Sequence, residues 1–257
     1  MEKRGQDKEK NRIYVVGIGS GSEGQITRQA QAILGECDVI IGYTVYVDLL
    51  KGWLPGKEYL TTPMTQEVER CRMAFEEAKK GKRAAMVCSG DAGVYGMAGL
   101  MLELAKEYPD CTVEVVPGVT AALSGGALLG APLGHDFAVI SLSDLLTPWE
   151  VIERRLRYAA MADLSICIYN PSSKKRADYL QRACDVLLEV LKEDRVCGLA
   201  VQIGREGEHY QILTLKELRR QQTDMFTTVF IGNSQTRRCA GRMVTPRGYR
   251  IGEQAGS

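Results

Sequence analysis

Apolar residues follow two rhythms along this chain. Short apolar runs of strand length alternate with longer stretches in which apolar positions recur every three or four residues, the pattern of α/β construction. Arg12 to Gly17 predicts a first strand, Ile26 to Leu34 a helix, Asp38 to Ile41 a second strand and Glu58 to Leu60 a short third. Gln66 to Lys80 predicts an amphipathic helix with Val68, Cys71, Phe75 and Ala78 on its apolar stripe and Gly81 as its stop. The strand Arg83 to Cys88, a helix from Val94 to Glu107, the strand Thr112 to Val116 and a small-residue helix from Ala121 to Leu129 follow. Gly130 to Gly134, with Pro132 inside it, breaks the pattern and predicts a domain boundary.

The second half predicts a strand over Phe137 to Leu142, a helix over Pro148 to Ala162, a strand over Leu164 to Tyr169 and a long helix over Arg176 to Glu193. Further strands are expected at Val196 to Ile203, Tyr210 to Leu213 and Thr227 to Ile231, with Gly204-Arg205-Glu206-Gly207 as a hairpin turn. The expected organisation is a leader over 1–10, α/β domains over 11–132 and 133–250, and a tail over 251–257. The first sheet is read as mainly parallel and the second as mixed.

Composition narrows the classes. A chain of 257 residues is long enough to bury roughly 70–75% of its unfolded surface. With 33 basic and 32 acidic residues and a net charge of +1, it lacks the polycationic character of a nucleic-acid binder, so any anionic partner must be met by local clusters. The first ten residues are charged and lack the apolar core of a secretion signal, and no apolar run spans a bilayer. The eight cysteines are scattered without a C-x-x-C pair, which predicts buried thiols in a reducing cytoplasm rather than disulfides or a metal site.

Three glycine-bearing loops stand at strand ends: Gly17-Ile18-Gly19-Ser20-Gly21, Ser89-Gly90-Asp91-Ala92-Gly93-Val94-Tyr95-Gly96, and Pro117-Gly118-Val119-Thr120-Ala121. One such loop reads equally well as a tight turn, whereas three together point to a ligand site that the backbone approaches closely. The first loop has the glycine spacing of a dinucleotide site, but Ile40-Ile41-Gly42-Tyr43 supplies no ribose-binding acid and no Walker-type lysine is present. The ligand is therefore expected to carry no phosphates.

These loops, with Leu129-Gly130-Ala131-Pro132-Leu133-Gly134-His135-Asp136-Phe137, Ile140 to Trp149, Tyr169-Asn170-Pro171, Gly204 to Gly207, Thr227-Thr228-Val229 with Ile231 to Thr236, and Met243 to Tyr249, resemble the tetrapyrrole methylases of cobalamin and sirohaem synthesis. Within that family they are most similar to the branch that methylates C17 at the precorrin-3B or cobalt-factor III stage. The resemblance covers about residues 12–250. It implies two α/β domains with S-adenosyl-L-methionine (SAM) in the cleft between them, release of S-adenosyl-L-homocysteine, a homodimer, and neither nucleic-acid nor membrane partners. Carried over by position, cofactor contacts fall on Ser89, Gly90, Asp91, Val94, Thr120, Ala121, Tyr169, Asn170 and Gly204. Ser20 departs from the family, which usually carries a proline there.

Methyl transfer from a sulfonium needs alignment more than acid–base help. The ring contraction that the resemblance also implies does need proton transfers, for which Tyr43, His135, Asp136, Ser141 and Asp144 are the candidates. A polycarboxylate substrate calls for guanidinium or ammonium partners. Lys174, Lys175 and Arg176 lead there, ahead of Arg154, Arg155 and Arg157, and of Arg237 with Arg238. The alternatives are methylation at another ring position and a non-catalytic regulator that binds SAM or a tetrapyrrole.

Overall fold

A computed structural model describes residues 11–173 and 175–249; the leader, the tail and Lys174 lie outside them. The chain divides into two compact units between Ala121 and Ala122. Gly130 to Gly134 accordingly falls inside the second unit.

The first unit is built on five parallel strands, β1 (Arg12–Gly17), β2 (Val39–Tyr43), β3 (Glu58–Thr62), β4 (Ala84–Cys88) and β5 (Thr112–Val116), in the order β3-β2-β4-β1-β5. A parallel sheet must be covered on both faces, which is why its inner strands are apolar almost throughout. Ile13, Val15, Ile41 and Met86 face Cys71, Ala74, Phe75 and Ala78 of the helix Glu67–Lys79 and Met101 of the helix Ala98–Leu104. Val16, Ile40, Ala85 and Val87 face Ala30 and Leu34 of the helix Arg28–Glu36 and Val47 and Leu50 of the helix Thr44–Trp53.

Three details depart from the sequence pattern. The helix Thr44–Trp53, begun directly from the last residue of β2, was not expected at all. The helix expected from Val94 starts only at Ala98, because Ser89 to Met97 forms a long loop. On the helix Glu67–Lys79, Val68 is 48% exposed while Arg70 is 4% exposed, so the guanidinium and not the valine lies on the inner face.

The second unit carries a mixed sheet, as its sequence predicts, of β7 (Phe137–Ser141), β8 (Ser165–Tyr169), β9 (Val196–Val201), β10 (His209–Thr214) and β11 (Thr227–Ile231), ordered β10-β9-β11-β8-β7 with only β7 and β8 parallel. The helices Trp149–Met161 and Tyr179–Leu188 cover one face through Ile152, Leu156, Leu180 and Leu187. The second of them is shorter than the expected Arg176 to Glu193. On the other face the helix Ala121–Leu129 packs closely enough that a Cβ on Gly125 would lie 2.9 Å from Ile203 and one on Gly198 would lie 2.7 Å from Leu129. A small third sheet orders β12 (Arg237–Cys239), β13 (Arg242–Val244) and β6 (Gly130–Ala131), pairing Met243 with Gly130. It is locked by buried hydroxyls: Thr245 donates to the Pro132 carbonyl at 2.6 Å and lies 2.7 Å from the Thr236 hydroxyl. No helix among the described residues is long and apolar enough to cross a membrane.

Candidate active site

All five strands of the first sheet end on one edge, and ligands of open α/β sheets bind at such carboxyl ends. Register brings Gly17 beside Cys88, and Val16 beside Val116. The loops after β1 and β4 are stitched by two hydrogen bonds, Gly19 N–H to the Gly90 carbonyl at 3.1 Å and Gly90 N–H to the Gly19 carbonyl at 2.8 Å. Both glycines take positive φ, +75° and +70°. The third loop closes on the same point: a Cβ on Gly118 would lie 2.1 Å from the Gly90 carbonyl oxygen, and one on Gly17 would lie 2.7 Å from the Gly118 nitrogen. Thus the three loops singled out by sequence meet through bare backbone. Ser20, where the family carries proline, is buried and its hydroxyl donates to the Val119 carbonyl at 3.5 Å.

Asp91 braces this cluster. Its Oδ1 accepts from the N–H groups of Gly93 at 2.8 Å and Val94 at 3.1 Å, and its Oδ2 accepts from Gly118 N–H at 2.9 Å. Charged acceptors make stronger hydrogen bonds than neutral ones, so one carboxylate orders two loops. At the base of the second loop the Cys88 thiol accepts from Met97 N–H at 3.3 Å, and burial pushes its pKa up to about 11. Thr120 and Ala121 flank Gly90, where an added Cβ would meet the Thr120 Cα at 3.5 Å, an ordinary contact. Apart from Asp91, neither the Ser89–Gly96 loop nor Pro117 to Ala121 carries a charge. This close-approach cradle, whose one charge is a carboxylate, fits a compact cofactor without phosphates.

Tyr43 ends β2 on the same edge, half-buried, its ring edge-on to Tyr46 at 5.3 Å between centroids. The Arg70 guanidinium carbon lies 5.9 Å from the Tyr43 ring centroid. No local signal in the sequence marks Arg70, although its spacing from Ala74 places it on the apolar stripe of its helix.

The second unit's candidates form a side-chain network. The Tyr169 hydroxyl accepts from Ala122 N–H at 2.7 Å, in the first turn of the helix Ala121–Leu129. Asn170, at φ +52°, donates through Nδ2 to the Ser141 hydroxyl at 2.9 Å, which also accepts from Ser143 N–H at 3.2 Å. Arg176 donates to the Ser143 hydroxyl at 3.2 Å and pairs through Nε with Asp144 at 3.0 Å. The second Asp144 oxygen accepts from the Tyr179 hydroxyl at 2.5 Å, and that bond raises the Tyr179 pKa. Arg176, expected to meet substrate, therefore has its charge balanced within the protein. His135 and Asp136 are exposed neighbours, with Nδ1 and Oδ2 3.8 Å apart. Gly204 takes φ +72° and its N–H donates to Glu208 at 2.6 Å. Lys175 is exposed.

Comparison with known proteins matches this architecture. The family model of the Tetrapyrrole (Corrin/Porphyrin) Methylases matches residues 12–219. A Salmonella typhimurium protein named "Probable cobalt-factor III C(17)-methyltransferase" is 44% identical over 240 residues, covering 93% of this chain and 100% of that one. A Methanocaldococcus jannaschii protein of the same name is 44% identical, covering 92% of this chain and 97% of its own. The crystal structure of the methyltransferase CobJ superposes with a TM-score of 0.83 at 35% identity, covering 91% of this chain and 99% of that one. With correspondence running through both units and filling these relatives from end to end, the chain belongs to the tetrapyrrole (corrin/porphyrin) methylases.

Proposed function

We propose that this protein transfers a methyl group from SAM to C17 of a corrinoid macrocycle at the cobalt-factor III level, with ring contraction to the precorrin-4 level, in cobalamin biosynthesis. The observation that carries the reading is the end-to-end correspondence with the Salmonella relative of that name, joined to a loop cluster suited to a cofactor without phosphates. SAM supplies an electrophilic methyl group and needs no base to activate it.

The protein's share is binding, alignment and exclusion of water. On this reading Ser89, Gly90, Val94, Thr120 and Ala121 hold the donor, with Asp91 acting on it through the backbone it orders. For Tyr169, Asn170 and Gly204 the support as donor contacts is the family resemblance. Ring contraction requires a proton carrier, and Tyr43 is the candidate best suited. It ends a strand on the edge that carries the glycine loops, and its hydroxyl has no hydrogen-bond partner among the described residues. Asp144 and Ser141 are tied into the network with Arg176 and Asn170, which suits them to positioning. His135 with Asp136, and Lys175 with Arg176, remain the reading's candidates for proton handling and for carboxylate binding in the second unit. A cytoplasmic homodimer completes the reading: the resemblance supports the dimer, and six buried free cysteines among the described residues suit a reducing compartment.

The test is incubation with carbon-labelled methyl-SAM and either cobalt-factor III or metal-free precorrin-3B under anaerobic conditions, followed by carbon NMR of the product. The reading requires the label on C17. A label on another carbon would refute the position and leave the methylase class standing. Preference for the metal-free substrate would move the reaction to the oxygen-dependent route.

A further inference from the structure

Among the described residues Arg70 is the one buried arginine, and it has no acid as partner. Its Nε donates to the Thr62 hydroxyl at 2.9 Å, one terminal nitrogen donates to the Pro63 carbonyl at 2.9 Å, and the guanidinium carbon stands 5.9 Å from the Tyr43 ring centroid. No carboxylate among the described residues pairs with it. Neutral acceptors and a ring face satisfy some of its N–H groups, but they supply no full counter-charge. An ion removed from water without one is costly, and anchoring β3 to its helix does not call for a charge. A neutral amide reaching Thr62 and Pro63 would serve that purpose.

Its position narrows what the missing charge is. Thr62 and Tyr43 are the last residues of β3 and β2, and pair with each other in register. β2 lies next to β4, whose end carries the Asp91 loop. The guanidinium is therefore on the ligand-binding edge, about 5 to 10 Å along it from the donor loop, one to two strand spacings. Its charge also reaches the Cys88 thiol at the end of β4, whose pKa it lowers against the larger effect of burial.

Resting on the proposed reading, we infer that Arg70 is a carboxylate anchor for the macrocycle: it binds one acidic side chain of a polycarboxylate tetrapyrrole and so fixes the ring's rotation relative to the methyl donor. Arginine suits this task because its planar fork grips a carboxylate through two parallel hydrogen bonds. Thr62 and Pro63 hold the fork in place, and Tyr43 lies under it.

The experiment uses the full chain and a binding probe that needs no turnover, uroporphyrin with its eight carboxylates, set against its octamethyl ester and followed by porphyrin fluorescence. Calorimetry with SAM and a thermal melt accompany each variant. Arg70→Gln is expected to bind uroporphyrin at least tenfold more weakly, with SAM affinity unchanged within twofold and ester binding unchanged. Arg70→Lys keeps the charge without the fork and is expected to fall between the two. Should Arg70→Gln fail to fold, the lysine variant decides alone: weakened uroporphyrin binding with intact SAM binding upholds the anchor. Unchanged uroporphyrin affinity in the folded variants overturns the assignment, as does equal weakening of acid and ester. A parent protein that binds SAM but not uroporphyrin strikes instead at the tetrapyrrole reading.

Discussion

The glycine-loop edge of the first unit and the loop network of the second are built from opposite materials. In the first, Gly17, Gly19, Gly90 and Gly118 bring backbone against backbone, and Asp91, with the Ser20 hydroxyl, holds the loops in place. In the second, Ser141, Ser143, Asn170, Arg176, Asp144 and Tyr179 touch through side chains, and each contact has a neighbour that shares the load. A backbone interlock has no smaller residue to fall back on, because a Cβ on Gly17, Gly19 or Gly118 collides with a peptide group that cannot rotate away, while Gly90 is constrained by its positive φ. A side-chain network can lose a member and re-pair. Rigidity is thus concentrated where a cofactor would be gripped.

The contrast is tested hardest at Gly118. Gly118→Ala places a methyl group 2.1 Å from the Gly90 carbonyl oxygen, and we expect a loss of about 3 kcal/mol in denaturant unfolding, with SAM binding abolished. A stable variant that still binds SAM would show the interlock to be yielding. Next comes Asp91→Asn, which turns an NH2 group toward the Gly118 or Gly93 N–H and leaves a donor unpaired. We expect about 2 kcal/mol of destabilisation, and calorimetric SAM affinity lowered even though the residue is braced on backbone.

In the second unit, Tyr169→Phe removes one acceptor from Ala122 N–H and should cost about 1 kcal/mol, with the native fold retained by circular dichroism. A larger loss would place Tyr169 in the same class as Asp91. The smallest effect is expected just beyond the glycine-rich loop. Gly99 lies in the helix Ala98–Leu104, and an added Cβ there meets nothing within 4 Å. Gly99→Ala should raise stability by about 0.7 kcal/mol, visible as a higher melting midpoint, which separates glycines the interlock requires from those it does not.

The sequence disclosed what repeats along the chain and concealed what depends on a single contact. The strands Arg12–Gly17 and Thr227–Ile231 match their apolar runs residue for residue, since burial on both faces leaves a local signal, and the edge strand Thr112–Val116 matches through its β-branched residues although only Val116 is fully buried. The helix Thr44–Trp53 was hidden because its valines read as extended and Tyr43 gives no side-chain cap. The loops around Gly90 and Gly118 were legible as turns with a ligand in prospect, but their mutual contact spans residues far apart in sequence. The resemblance assigns Asp91 to the cofactor, and its three backbone partners appear only in three dimensions. Nothing local marks Arg70, because an arginine in a charged helix looks like any solvated one, as its neighbour Arg72 is; its place on the stripe with Cys71 and Ala74 is the available clue.

The short strand Arg242–Val244 has a consequence for how the molecule comes into being. It pairs with Gly130–Ala131, and Thr245 completes the closure through Pro132, more than a hundred residues earlier in the chain. On the ribosome, the first unit's sheet is complete once Val116 has emerged, whereas the second cannot be sealed until nearly all of its own sequence is available. The nascent protein thus carries one finished half and one open half through much of its synthesis. In that interval Gly198 lacks the Met243 sulfur that later packs against it, and the unsealed half is where a translational pause or a chaperone would act.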